Sequence, residues 1–305
     1  MRNIRLILEY DGTAYHGWQS QTNASTVQDT VTAAVKSLTG ENCSLIGSSR
    51  TDTGVHALGY VCNFSTASAI PADKFSFALN TLLPDDITVR RSEEVPCDFH
   101  SRFDAAGKTY RYMIYNSVFP SALLRNRAYH VYYPLDTDAM NRAAQHLTGT
   151  HDFLAFSAAG GSVKTTVRTI AQARVSIAGQ ACELPHEQSY QPYAQPKERS
   201  YQPPYERDIV APDLRSGSGL DLQSGRLIEF TITGNGFLYN MVRIIAGTLI
   251  EVGFGKLKPE DIPVIIESLD RRKAGRTAPA HGLYLVGVYY DGKAKIQKNE
   301  MTDDY

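Results

Sequence analysis

The 305-residue chain contains no run of about 18 apolar residues, so no membrane-spanning helix is expected from it. Only four cysteines occur, Cys43, Cys62, Cys97 and Cys182, far apart and without a CxxC pair. That excludes a zinc ribbon and gives no basis for a disulfide framework. The eight histidines never pair at metal-ligand spacing: His146 and His151 are five apart, with no third ligand suggested. Gly234-Asn235-Gly236 lacks the third glycine of a dinucleotide fingerprint, because Tyr239 stands there. Neither a cofactor nor a metal is therefore expected. No apolar leader core follows Met1, so the expected location is the cytoplasm. No charge of one sign dominates either, with 31 basic against 32 acidic residues.

What is present is ordinary globular composition, 42% hydrophobic and 21% charged, in a length that suggests two domains. The charge is unevenly spread. Residues 179–225 hold seven acids and four bases, a net of −3, which leaves +2 on the rest. That segment also holds six of the 14 prolines, no Phe or Trp, and the short repeat Ser189-Tyr-Gln-Pro-Tyr193 and Ser200-Tyr-Gln-Pro-Pro-Tyr205. Proline forbids ladders and helix interiors, and too little apolar mass remains for a core. It reads as an exposed insertion, either a spacer or an extended arm that docks on RNA or a partner.

The remaining chain reads as two similar halves. Arg2–Glu9 alternates as a strand. Ser25-Thr26-Val27-Gln28 has the form of a capping box for a helix whose apolar positions are Val27, Val31, Ala34, Val35 and Leu38, stopped by Gly40. Strands are expected at Cys43–Ser48, Val55–Phe64 and Ile87–Glu93, and a helix at Ala72–Leu79. The order recurs with strands at Lys108–Tyr115, 167–177, 226–233 and Leu283–Tyr289, and helices at 138–147, 240–252 and 260–269. The expected class is α+β: two ferredoxin-like, split βαβ halves, 1–103 and 104–305, whose antiparallel sheets join around a central cleft.

The densest polar cluster, Ser49-Arg50-Thr51-Asp52-Thr53-Gly54-Val55-His56, lies between two apolar strands. In extended backbone, Arg50 and Asp52 would point the same way, and a guanidinium beside a carboxylate orients it for nucleophilic or base chemistry. The alternative is a turn in which Asp52 bonds nearby backbone and Gly54 supplies a positive φ. Arg243 sits among Val242, Ile244 and Ile245, where an unpaired cation would be costly, so it calls for a carboxylate partner.

This cluster resembles the G-R-T-D-A-G-V-H loop of the tRNA pseudouridine synthase A family. Glu9–Gln19, Phe99-His-Ser-Arg102-Phe103, Tyr110–Asn116, Asn235–Arg243 and Ala278–Leu285 resemble further motifs of that family, in the same order. Ser49, Thr53 and Ser20 depart from its pattern. The resemblance implies conversion of uridine to pseudouridine at positions 38, 39 and 40 of the tRNA anticodon stem-loop, without cofactor or metal, by a homodimer. It implies Asp52 as the catalytic carboxylate, Arg243 as its partner, Tyr110 against the target uracil, and Arg50 in the space left by the displaced uridine or on a phosphate. His56 would support the Asp52 loop, and Trp18 and Tyr15 would either stack on RNA or pack in the core, with core packing favoured. Arg125, Arg127, Arg271, Arg272, Lys273 and Arg276 are candidate phosphate contacts. A non-catalytic RNA-binding module is disfavoured by the missing RNP1 aromatics. A phosphoryl-accepting Asp52 is disfavoured by the lack of a second acid at D-x-D spacing.

Overall fold

Strand β1 (Arg2–Tyr10) buries Ile4, Leu6, Leu8 and Tyr10 on one face, as its alternation requires. The computed structural model that places it describes residues 1–160, 163–178 and 225–290. The acidic, proline-rich insertion lies outside the described residues except for Gly225. Helix α1 (Val27–Thr39) packs Val27, Val31, Ala34 and Val35 inward and ends at Gly40, whose φ is 76°. Its cap is displaced by one residue from the sequence expectation. Thr26, not Ser25, accepts from the Asp29 amide at 3.2 Å and donates its hydroxyl to the Asp29 carboxylate at 2.5 Å. Gln28 is occupied elsewhere, donating to the Leu45 carbonyl and accepting from the Ser20 amide.

The first half continues with β2 (Ile46–Gly47), β3 (His56–Thr66), α2 (Lys74–Asn80) and β4 (Ile87–Val95). The strand expected at Cys43–Ser48 shrinks to β2, paired only to Asn63 and Cys62. The second half comprises β5 (Gly107–Asn116), β6 (Tyr129–Val131), α3 (Thr137–Gln145), β7 (Gly149–Asp152), β8 (Val167–Ile177), β9 (Arg226–Gly234), α4 (Met241–Gly253), α5 (Asp261–Ser268) and β10 (Leu283–Tyr289). β6 and β7 are too short for a hydrophobic period to announce them.

Among the described residues the strands form one sheet in the order β4-β1-β3-β10-β5-β9-β8-β7, with β2 on β3 and β6 on β5. The contacts within each half that build this order are antiparallel. The seam is different: β10 pairs in parallel with the start of β3, Tyr284 opposite His56, and antiparallel with β5, Leu285 opposite Tyr110. One strand thus closes an edge of each half and makes a single mixed α+β sheet. Helix α4 has eleven buried residues; only Arg243 and Glu251 are partly exposed. The crossover between halves is tied down by side chains. Asn3 donates to the carbonyls of Pro96 and Phe99, and Asn63 accepts from the amide and hydroxyl of Ser101.

Candidate active site

The Asp52 loop joins β2 to β3 at the seam. It is held by backbone contacts that need glycine. Gly17 has φ 82°, and a Cβ there would collide with the Thr51 carbonyl oxygen and reach within 3.1 Å of the Asp52 carbonyl carbon. The Trp18 amide donates to the Thr51 carbonyl at 3.3 Å, the Gly54 amide to the Tyr15 carbonyl, and the Val55 amide to the Asp52 carbonyl. The buried hydroxyls of Tyr10 and Thr51 bond at 2.9 Å. Gly54 adopts a φ of 77°, so the turn geometry and the presented carboxylate coexist in one loop.

Asp52 faces Arg243, with Nη1 at 3.3 Å from Oδ2; the acid side chain is 32% exposed and the arginine 18%. The guanidinium is braced on two further sides. Nε donates to the Ala278 carbonyl and Nη1 to Asn240 Oδ1, both at 2.8 Å. Asn240 precedes α4 in the left-handed region at φ 58°, a conformation asparagine tolerates better than most residues. The strand lead-in that carries Ala278 is itself fixed to α4 by the Ala278 amide on the Arg243 carbonyl. The cation is therefore positioned before any ligand arrives.

Tyr110 of β5 is 8% exposed, with the Phe237 ring edge-on at a centroid distance of 5.1 Å. Burial pushes its phenol up to about 12, and the Asp52 charge adds to the rise. It is a protonated, rigidly packed ring next to the carboxylate. His56, 2% exposed, accepts the Gly12 amide at Nδ1, so its proton sits on Nε2, which faces the carbonyls of Asn126 and His281. Burial pushes this imidazole below its usual range despite Asp11 at 3.1 Å from Nδ1, which favours the neutral ring. His56 thus buttresses the base of the loop.

Arg50 makes no bond to Asp52; the nearby guanidinium is Arg243, 191 residues away in the chain. Arg50 is exposed and lines a separate pocket of about 280 Å³ with Trp18, His100 and Phe103. The turn follows Asp52, whose carbonyl accepts the Val55 amide, with Thr53 and Gly54 at its tip. Trp18 stacks on Tyr60 at 4.1 Å, and Tyr15, 5% exposed, donates to Asp86 at 2.7 Å, so both are core residues. Among the candidate phosphate contacts, Arg127 pairs with Asp11, Arg272 with Asp270, Arg125 donates to the Ala122 carbonyl, and Arg271 to Ala274 and Thr277. Lys273 and Arg276 are exposed beside Glu251 and Lys256 around a pocket of about 310 Å³. Sequence reasoning missed Asn240, Phe237 and Lys108 as parts of the site. Lys108 stands two residues before Tyr110 on the same strand face, and its ammonium donates to the Ser48 carbonyl at 2.9 Å.

A family profile described as tRNA pseudouridine synthase matches residues 6–104 and 143–291. The chain belongs to the tRNA pseudouridine synthase family. Proteins named tRNA pseudouridine synthase A from Acetivibrio thermocellus, Ruminiclostridium cellulolyticum and Caldicellulosiruptor bescii are 54%, 49% and 47% identical to it, each over 95% of this chain and 100% of their own length. The family match includes the Asp52 loop, Phe237, Asn240, Arg243 and Ala278, and leaves out Lys108 and Tyr110. No helix among the described residues is long and apolar enough to cross a membrane.

Proposed function

We propose that this chain isomerises uridine to pseudouridine in tRNA, at positions 38, 39 and 40 of the anticodon stem-loop, with Asp52 as the catalytic carboxylate. The observation that carries this reading is the Asp52–Arg243 pair at the seam beside Tyr110, in a chain of this family. The reaction breaks the N-glycosidic bond, turns the uracil, and joins C5 to the ribose. A carboxylate held in one orientation can attack ribose C1′ or uracil C6, or remove a ribose proton. Arg243, itself held by the Ala278 carbonyl and Asn240, fixes that orientation through one bond to Asp52. Tyr110 supplies a flat, water-excluding wall for the uracil, and its protonated phenol is a donor. Arg50 reaches the RNA backbone from the adjoining pocket. The reaction transfers no electrons or phosphoryl group, and no cofactor or metal enters it.

The target base must leave its stack, at a cost of a few kcal/mol, and phosphate contacts across the seam offset this. The two halves, 1–103 and 104–305, are read as split βαβ units, each with its fourth strand on one edge and joined through β10. The protein acts as a homodimer in the cytoplasm, where its substrate resides. The experiment uses tRNA carrying tritium at uridine C5. Wild type releases the label because that hydrogen must leave, and Asp52→Asn does not. Release by Asp52→Asn at the wild-type rate removes Asp52 from the mechanism. Elution of the protein as a monomer in light scattering overturns the dimer.

A further inference from the structure

Beside the seam site lies a second cavity, walled on one side by the Asp52 loop and on the other by the crossover between the halves. Its contents are unusual for a surface cleft. Phe103 is 76% exposed, yet its ring stacks on His100 at 4.2 Å and 29°. The turn that carries it is rigid. His100 Nδ1 accepts the amides of Arg102 and Phe103, the His100 amide donates to Asp104, and the neighbouring Ser101 is fully buried on Asn63. An aromatic ring held out to solvent by a braced turn is a stacking platform. The floor is Trp18 and Gly47, and the volume is about 280 Å³.

Three cations surround it. Arg50 and Arg102 are exposed and line it, and the Arg102 guanidinium sits 5.8 Å from the Phe103 centroid. Lys108 adjoins, on the Ser48 carbonyl. Among the described residues no carboxylate pairs with any of the three. Burial pushes the Lys108 ammonium down to about 8, and the Arg102 charge pushes in the same direction, so an incoming anion relieves a repulsion already present. Aromatic stacking surface and unpaired cations together match a nucleotide: a π-face for the base and charges for its phosphate.

We propose that this cavity binds a tRNA nucleotide flanking the target uridine, its base stacked on Phe103 and its phosphate held by Arg102 and Arg50. The proposal rests on the tRNA reading above, because Ser49 and Arg50 form one wall of the cavity and lie three and two residues before Asp52 in the chain. A strand running through the seam site must pass this wall. Phe103 is thereby a binding contact rather than part of the reacting centre.

Labelled tRNA binding, followed over a range of salt concentrations, tests this alongside tritium release. Phe103 is exposed, so its replacement leaves the fold intact. Phe103→Ala weakens tRNA binding about 5- to 150-fold and raises KM with little change in kcat, and Phe103→Trp restores both. Arg102→Gln lowers the slope of log affinity against log salt by about one phosphate contact. 2-Aminopurine placed in turn on either side of the target is quenched by wild type and Phe103→Trp, and not by Phe103→Ala. Binding by Phe103→Ala and Arg102→Gln within twofold of wild type with an unchanged salt slope overturns the proposal, as does absence of quenching at both flanks. These signatures in a protein that releases no tritium support the cavity as a tRNA site and refute the isomerisation. Normal release without them refutes the cavity alone.

Discussion

Replacing Gly17 by alanine separates loop position from general stability. Two effects combine at this residue. Its φ of 82° places a side chain in the left-handed region, at about 1–2 kcal/mol. The new Cβ also strikes the Thr51 carbonyl oxygen, which is backbone and cannot swing aside, and lies 3.1 Å from the Asp52 carbonyl carbon. The Asp52 loop must retreat. Displacing a reacting group by about 1 Å costs on the order of 10²-fold in rate. Gly40 is the matched control: its φ is 76°, so it carries the same backbone cost, but a Cβ there meets nothing within 4 Å. Gly40→Ala should lose ~2–4 °C of melting temperature per kcal/mol of that backbone cost, and Gly17→Ala more, because the clash adds to it. Only Gly17→Ala should lose about 10²-fold in kcat/KM in the tritium-release assay. Gly17→Ala activity within a factor of three of Gly40→Ala would refute the view that the approach of residue 17 to the loop sets the carboxylate.

Arg243→Lys keeps a charge near Asp52 but cannot reproduce the fork that joins Asp52, Asn240 and the Ala278 carbonyl; kcat should fall about 10²-fold, read by single-turnover release. The accompanying stability loss should stay near ~1 kcal/mol in urea titration, since the pair is partly exposed. His56 is neutral in the fold, and burial holds it below its unfolded value of about 6.5, so the unfolded chain binds more protons in acid. Stability from this residue is therefore complete above about pH 6.5 and lost as pH falls towards the folded value; His281 is shifted the same way and contributes in the same window. Melting temperatures across this range should flatten in His56→Gln, and an unchanged slope would contradict the neutral assignment. Tyr110, with its phenol at about 12, stays protonated in any ordinary assay. The kcat/KM profiles of wild type and Tyr110→Phe should therefore run parallel up to about pH 10, and an alkaline limb present only in wild type would show the phenol ionising.

How much of this was legible in the sequence follows from what each signal measures. Hydrophobic periodicity reports a buried face, so it located β1, α1, β8, β9 and β10 closely, and β10 at Leu283–Tyr289 to the residue. It was silent on β6 and β7, which are held by a few ladder bonds, and it overran β2, because β10 shares that edge of β3. The cap of α1 slipped by one because Gln28 had stronger calls on its amide than the helix end. At the site, the apolar neighbours of Arg243 revealed that its charge needed a partner, whereas the i, i+2 spacing of Arg50 and Asp52 left open which guanidinium Asp52 would meet, and that is Arg243. No local pattern could join Asp52 to a guanidinium 191 residues away.

The connection is made by β10 and the segment leading into it. Tyr284 sits opposite His56, four residues past Asp52, and Leu285 sits opposite Tyr110. The lead-in binds Arg243 through both the carbonyl and the amide of Ala278. One closing strand therefore sets the carboxylate loop, the aromatic wall and the cation in register. The site depends on long-range pairing that the two halves cannot supply separately. An enzyme assembled this way should lose the positions of all three groups together when β10 is displaced.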